Sequence, residues 1–243
     1  MPEIDQEFNF IDKLQPEWRA PASYMKYSRS HKRIVIGTQN GVLAVLPVEA
    51  ELLDEDEEDE ENAGKEKQKK GIEVPLQVIG KYHTGPIVAI KNLQASTQFI
   101  TISEDQTLAM WEATTGQQIA SVMLTDRPVS MSVTNDGMVA FVGTAEGAFL
   151  IFDISQRNNL RLIKQMRFFE TLIPISFIQC SINGQVIMIA SRESERIFVC
   201  SQKSSEDFTI FGFIKMDGYI LSLQFAHNDG KLYAATILSN NLV

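Results

Sequence analysis

Short apolar runs bounded by turn residues recur along this chain at nearly constant spacing, and that recurrence constrains the fold more than any other feature. Runs beginning at Ile87, Val129, Ile175 and Ile220 are separated by 42, 46 and 45 residues. Turns containing Gly137, Gly184 and Gly230 keep about the same period. Each run is short and rich in β-branched and aromatic residues, the composition that suits a pleated, packed surface. No stretch keeps a helical period over a dozen residues, so the chain is expected to be all-β. A fixed period of this length indicates a stack of similar units, each burying its apolar face against the next.

One unit carries more information than the others. From His83 to Gly116 three strand-like runs alternate with turns, and His83, Ser103, Asp105 and Trp111 stand at fixed offsets among them. This stretch resembles one repeat of the WD family. The resemblance implies a blade of four antiparallel strands in a β-propeller. It also implies that His83, Ser103, Asp105 and Trp111 form a buried hydrogen-bonded tetrad, with the serine linking imidazole to indole. A buried indole N–H and a buried imidazole both need partners, so the implied roles are structural, and His83 with Asp105 is not read as a catalytic pair. Glu112 stands where the family has Asp after Trp, and Tyr82 where it has Gly before His.

On this reading residues 1–21 form an N-terminal strand and loop, and residues 22–243 form propeller blades. A first, degenerate blade includes Tyr24–Tyr27, Ile34–Gly37 and Val42–Leu46, with Leu76–Gly80 as its fourth strand. The insert 49–71 interrupts it and is expected to be disordered, because like charges repel and little apolar surface offsets the ordering entropy. The third blade repeats the pattern with Thr144, Glu146 and Phe152-Asp153 in the places of Ser, Asp and Trp-Asp. A fourth blade begins near Ile175 and half of a fifth near Tyr219. The expectation is therefore about four full four-stranded blades plus a partial fifth, as part of a longer propeller; the alternative is a small ring closed by Phe8–Leu14. Gly37-Thr38-x-x-Gly41 and Gly143-Thr144-x-x-Gly147 echo one another and read as tight turns needing positive φ.

Charge narrows the function. The net charge is −9, and residues 49–70 supply −7 of it, with eleven acids against four lysines. The remainder is nearly neutral and has no basic stripe for phosphates, which argues against nucleic-acid binding. No run of eighteen apolar residues and no N-terminal apolar leader is present, so neither a membrane span nor a signal peptide is expected. Cys180 and Cys200 are the two cysteines and read as buried, reduced thiols, and three scattered histidines give no metal-ligand spacing. Phosphate loops, nucleophile elbows, metalloprotease helices and dinucleotide fingerprints are absent from the sequence.

The resemblance to the WD family implies a non-enzymatic scaffold for protein–protein interaction, and no sequence signature of a cofactor, metal or small-molecule substrate stands against that expectation. The run Asp54, Glu55, Asp56, Glu57, Glu58, Asp59, Glu60 and Glu61 reads either as a solvated insert or as a contact for a basic partner. The degenerate repeats and long acidic insert resemble large cilia- and flagella-associated WD-repeat proteins. That resemblance implies a structural or tethering component of the axoneme, cytoplasmic or cytoskeletal, working within a larger assembly. The alternative is a nuclear or ribosome-biogenesis scaffold whose acidic loop captures basic proteins.

Overall fold

A computed structural model describes residues 14–28, 31–48, 77–94, 96–181, 184–202, 207–225 and 232–238. The whole insert 49–71 with its acidic run 54–61, and the strand expected at Phe8–Leu14 except Leu14 itself, lie outside these residues, as do His227 and the turn 228–230. The described residues form strands joined by turns, with one 3-10 turn at Pro16–Trp18.

The strands fall into consecutive antiparallel meanders. Sheet one holds β1 (Ala22–Ser28), β2 (Arg33–Thr38), β3 (Val42–Pro47) and β4 (Gln77–Lys81). Sheet two holds β5 (Ile87–Asn92), β6 (Gln98–Ser103), β7 (Thr107–Glu112) and β8 (Gln118–Met123). Sheet three holds β9 (Pro128–Val133), β10 (Val139–Thr144), β11 (Ala148–Asp153) and β12 (Arg161–Arg167). Sheet four holds β13 (Phe177–Cys180), β14 (Val186–Ala190), β15 (Arg196–Gln202) and β16 (Phe208–Lys215). β17 (Gly218–Phe225) and β18 (Leu232–Leu238) pair as a fifth, two-stranded sheet.

Burial explains why the inner strands read as continuous apolar runs rather than as alternating ones. Each sheet packs face to face on the next, and a separate core fills each junction. Val35, Leu43, Ile87, Phe99 and Trp111 lie between sheets one and two. Ile102, Leu108, Met131, Val142 and Leu150 lie between two and three. Phe141, Phe149, Ile175, Ile187 and Cys200 lie between three and four, and Ala190, Ile197, Ile220 and Leu223 between four and five. The middle strands are therefore covered on both faces, and every residue of β10 is buried. The fourth strands β8, β12 and β16 are largely exposed.

The first strands pack in series, β1 on β5, β5 on β9, β9 on β13 and β13 on β17. Hydroxyls join them: Ser23 Oγ donates to the Ile87 carbonyl at 2.7 Å, and Ser130 Oγ donates to that of Ile175 at 2.5 Å. Among the described residues no comparable contact returns from β17 to β1. Register shifts recur where first strands meet second strands and where third strands meet fourth, at Ala22/Tyr24 and Ile87/Ala89, and at Leu43/Ala44, Met110/Trp111 and Val199/Cys200. Bulges of this kind sharpen the local twist.

The two Gly-Thr-x-x-Gly segments do more than turn. Gly41 and Gly147 have φ of +85° and +80° and fit the tight-turn reading. Gly37 and Gly143 instead lie within strands β2 and β10, outside the positive-φ set. Their role is close approach: a Cβ there would come within 2.7 Å of the Ile87 and Ile175 side chains of the following sheet. In sheet two the turn position of Gly41 and Gly147 is held by Gln106 at φ +66°. Left-handed backbone costs an L-residue roughly 1–2 kcal/mol. Gln106→Gly is therefore expected to stabilise the protein, by about 0.5–1 kcal/mol once the added freedom of the unfolded glycine is offset. A raised urea midpoint at unchanged m-value checks it.

Candidate functional site

The sequence-predicted residues converge on the buried seam between β5, β6 and β7. His83 precedes β5, Asp105 lies in the β6–β7 turn and Trp111 lies near the end of β7. His83 Nδ1 is 3.0 Å from Asp105 Oδ2, and His83 Nε2 is 2.8 Å from Thr101 Oγ1. The Trp111 indole N–H donates to that same Thr101 oxygen at 2.8 Å. The chain thus runs from Asp105 through His83 and Thr101 to Trp111, and the link is Thr101, not Ser103. Register gives the reason. Trp111 is paired with Phe99 and Ala109 with Thr101, so the indole reaches diagonally to a hydroxyl two residues along the same face. Ser103, at the far end of β6, donates to the Gly85 carbonyl at 3.0 Å and accepts from the Asp105 N–H at 3.2 Å.

One protonation state satisfies every member. With the proton on Nδ1, His83 donates to Asp105, leaving Nε2 to accept from the Thr101 hydroxyl. Burial lowers the His83 pKa, outweighing the opposing pull of Asp105, so the ring is neutral at pH 7. Burial would raise the Asp105 pKa, but the Thr107 hydroxyl, the Thr84 N–H and His83 together hold it below the ordinary carboxylate value. Thr107 Oγ1 donates to Asp105 Oδ1 at 2.5 Å and the Thr84 N–H to Oδ2 at 2.9 Å. His83 is only 2% exposed and Thr101 and Trp111 are fully buried. Phe99 stacks on the indole at 6.4 Å between centroids, and Tyr82 tilts over it at 5.1 Å. Asp105→Ala is expected to cost on the order of 1–3 kcal/mol by orphaning these donors. Chemical denaturation checks it.

Glu112, in the place of the usual Asp, accepts from the Thr114 hydroxyl at 2.9 Å and faces the buried Arg33 of sheet one. Arg33 donates to the Thr97 carbonyl at 2.7 Å, and that bond ties sheet one to sheet two. In sheet three Thr144 accepts from the Ala148 N–H at 2.9 Å, and the Glu146 side chain enters no bond resembling that of Asp105. The position matching Thr101 there is Val142, packed in the same core as Phe152.

A second feature lies where the first strands end. A cavity of about 390 Å³ is lined by residues at or just beyond the ends of β1, β5, β9, β13 and β17. Lys26, Lys91, Gln94, Asn135, Gln179 and Gln224 give it a polar wall. Cys180 also lines it and is half-buried, in contrast to the fully buried Cys200. Burial pushes these thiols up to about 11 and about 12 respectively, so both stay protonated at neutral pH. Sequence reasoning passed over Thr101, Lys26 and Lys91. The lysines had a faint signal, a cation inside an otherwise apolar inner strand.

Repeated four-stranded antiparallel sheets, joined through their first strands and pinned in one repeat by the Asp105–His83–Thr101–Trp111 chain, are consistent with a WD-repeat β-propeller. No family model matches the chain. Among curated proteins it is similar to Cilia- and flagella-associated protein 43 of Mus musculus, at 20% identity over 208 residues, which is 85% of this chain and 11% of that protein. The chain thus spans a small part of the length of the relative it matches. No helix among the described residues is long and apolar enough to cross a membrane.

Proposed function

We propose that this chain is a propeller segment of a non-enzymatic protein–protein interaction scaffold, serving as a structural or tethering component of ciliary or flagellar axonemes. The observation that carries the reading is the similarity to Cilia- and flagella-associated protein 43 along 85% of the chain. The geometry adds support. The histidine–carboxylate pair is committed to Thr101, Thr107 and the backbone, an arrangement suited to rigidity rather than turnover. Stacked sheets offer loops on a stiff frame, where partner proteins dock.

Fractionation tests this. The protein, tagged in ciliated or flagellated cells of its source, is expected in the detergent-resistant axonemal fraction. Nuclear or freely soluble protein with no ciliary signal would sink the proposal. Within it, the acidic run Asp54–Glu61 serves as a salt-sensitive contact for a basic partner. Deleting residues 51–70 is then expected to release the protein at lower salt, and unchanged retention removes the run from the interface.

A further inference from the structure

We infer that the cavity at the ends of the five first strands binds the carboxylate side chains of an acidic peptide segment from a partner protein. Lys26 and Lys91 reach this cavity from adjacent inner strands, and no aspartate or glutamate lines it among the described residues. Neither lysine has a carboxylate or hydrogen-bond partner among those residues. An ammonium drawn out of water without a counter-charge is unfavourable. Burial, then the nearby Lys26 charge, lowers the Lys91 pKa. An anion placed between the two would remove both penalties at once. Elsewhere partly buried charges face a counter-charge, Arg33 near Glu112 and Asp153 beside Arg161. Lys26 and Lys91, without such a counter-charge among the described residues, stand apart from that pattern.

The remaining wall chooses among anions. Gln94, Asn135, Gln179 and Gln224 each carry an amide that donates and accepts. A phosphate, mainly an acceptor at neutral pH, offers few donors to the four amide carbonyls. A peptide presents N–H groups for those carbonyls and carboxylates for the lysines. The volume, about 390 Å³, lies near the lower end of ligand pockets, which run roughly 300–1,000 Å³, and suits side chains rather than a large cofactor.

The inference rests on the scaffold reading only in taking a protein as the source of the ligand. Its test is a binding measurement on the purified full chain, independent of cellular location. The probes are fluorescein-labelled hexaglutamate, labelled hexaglutamine and inorganic phosphate as competitor, read by fluorescence anisotropy. Hexaglutamate is expected to bind, and Lys91→Met and Lys26→Met each to weaken it about tenfold or more, while Lys164→Met on exposed β12 changes it by less than about twofold. Lys26 is exposed, so its variant keeps the test valid where Lys91→Met fails to fold. Equal binding of hexaglutamine, equal loss in Lys164→Met, or no binding of hexaglutamate overturns the inference. Displacement of the peptide by phosphate at equal concentration overturns it in favour of a phosphate site.

Discussion

Trp111→Ala is expected to destabilise sheets one and two by about 3–5 kcal/mol, the range for large buried aromatics. The side chain is fully buried and stacks on Phe99. It also sits in the core that joins β2 and β3 to β5 and β6. Removing it opens a cavity at a junction and leaves Thr101 Oγ1 without its indole donor. Trp111→Phe largely separates the two effects, since it keeps most of the ring volume while losing the N–H; its cost is expected at about 1–2 kcal/mol. Stacked sheets of this kind need not unfold together, so the readout should be local. Hydrogen exchange is expected to speed up in residues 33–47 and 87–112 and to change little in β14 and β15. Uniform acceleration along the whole chain would show that the junctions melt as one unit.

The sequence carried the sheets well where burial is two-sided and poorly where it is not. β6, β7, β10 and β11 are covered on both faces and appear as unbroken apolar runs. β12 was missed. Its sequence, Arg161-Leu162-Ile163-Lys164-Gln165-Met166-Arg167, is mostly exposed and contributes backbone pairing more than core, so no apolar run marks it. The helical turn at Pro16–Trp18 had no period to reveal it, being a single turn.

The hydrogen-bonded chain was legible in residue type but not in full register. Ser103 and Thr101 lie two apart on the same face of β6, and both carry a hydroxyl. Spacing alone does not separate them; the diagonal from Trp111 across the strand pair does, and that needs the register of β6 against β7. The cavity was less legible still. Its residues are scattered over five strand ends, each ordinary in its own segment, and only the packing of first strand on first strand brings them together.

That packing is most exposed to test at Gly41. Its φ of +85° alone would cost alanine roughly 1–2 kcal/mol. A Cβ there would also sit 2.1 Å from the His83 carbonyl oxygen and 2.5 Å from its carbon. Backbone atoms cannot swing aside as a side-chain tip does, so the β2–β3 turn must move away from His83, an overpacking cost of roughly 1–3 kcal/mol. Gly41→Ala is therefore expected to lose about 2–5 kcal/mol. Gly184→Ala supplies the reference: its φ is +69°, yet among the described residues a Cβ would meet only Thr134, at 3.7 Å. It should bear the backbone cost alone, and the difference between the two variants measures the approach of sheet one to sheet two. Because the turn presses on His83 itself, Gly41→Ala and Asp105→Ala should be non-additive, the double variant costing less than the two singles together. Strict additivity would mean that the turn yields without disturbing the histidine, and that the seam and the hydrogen-bonded chain are mechanically separate.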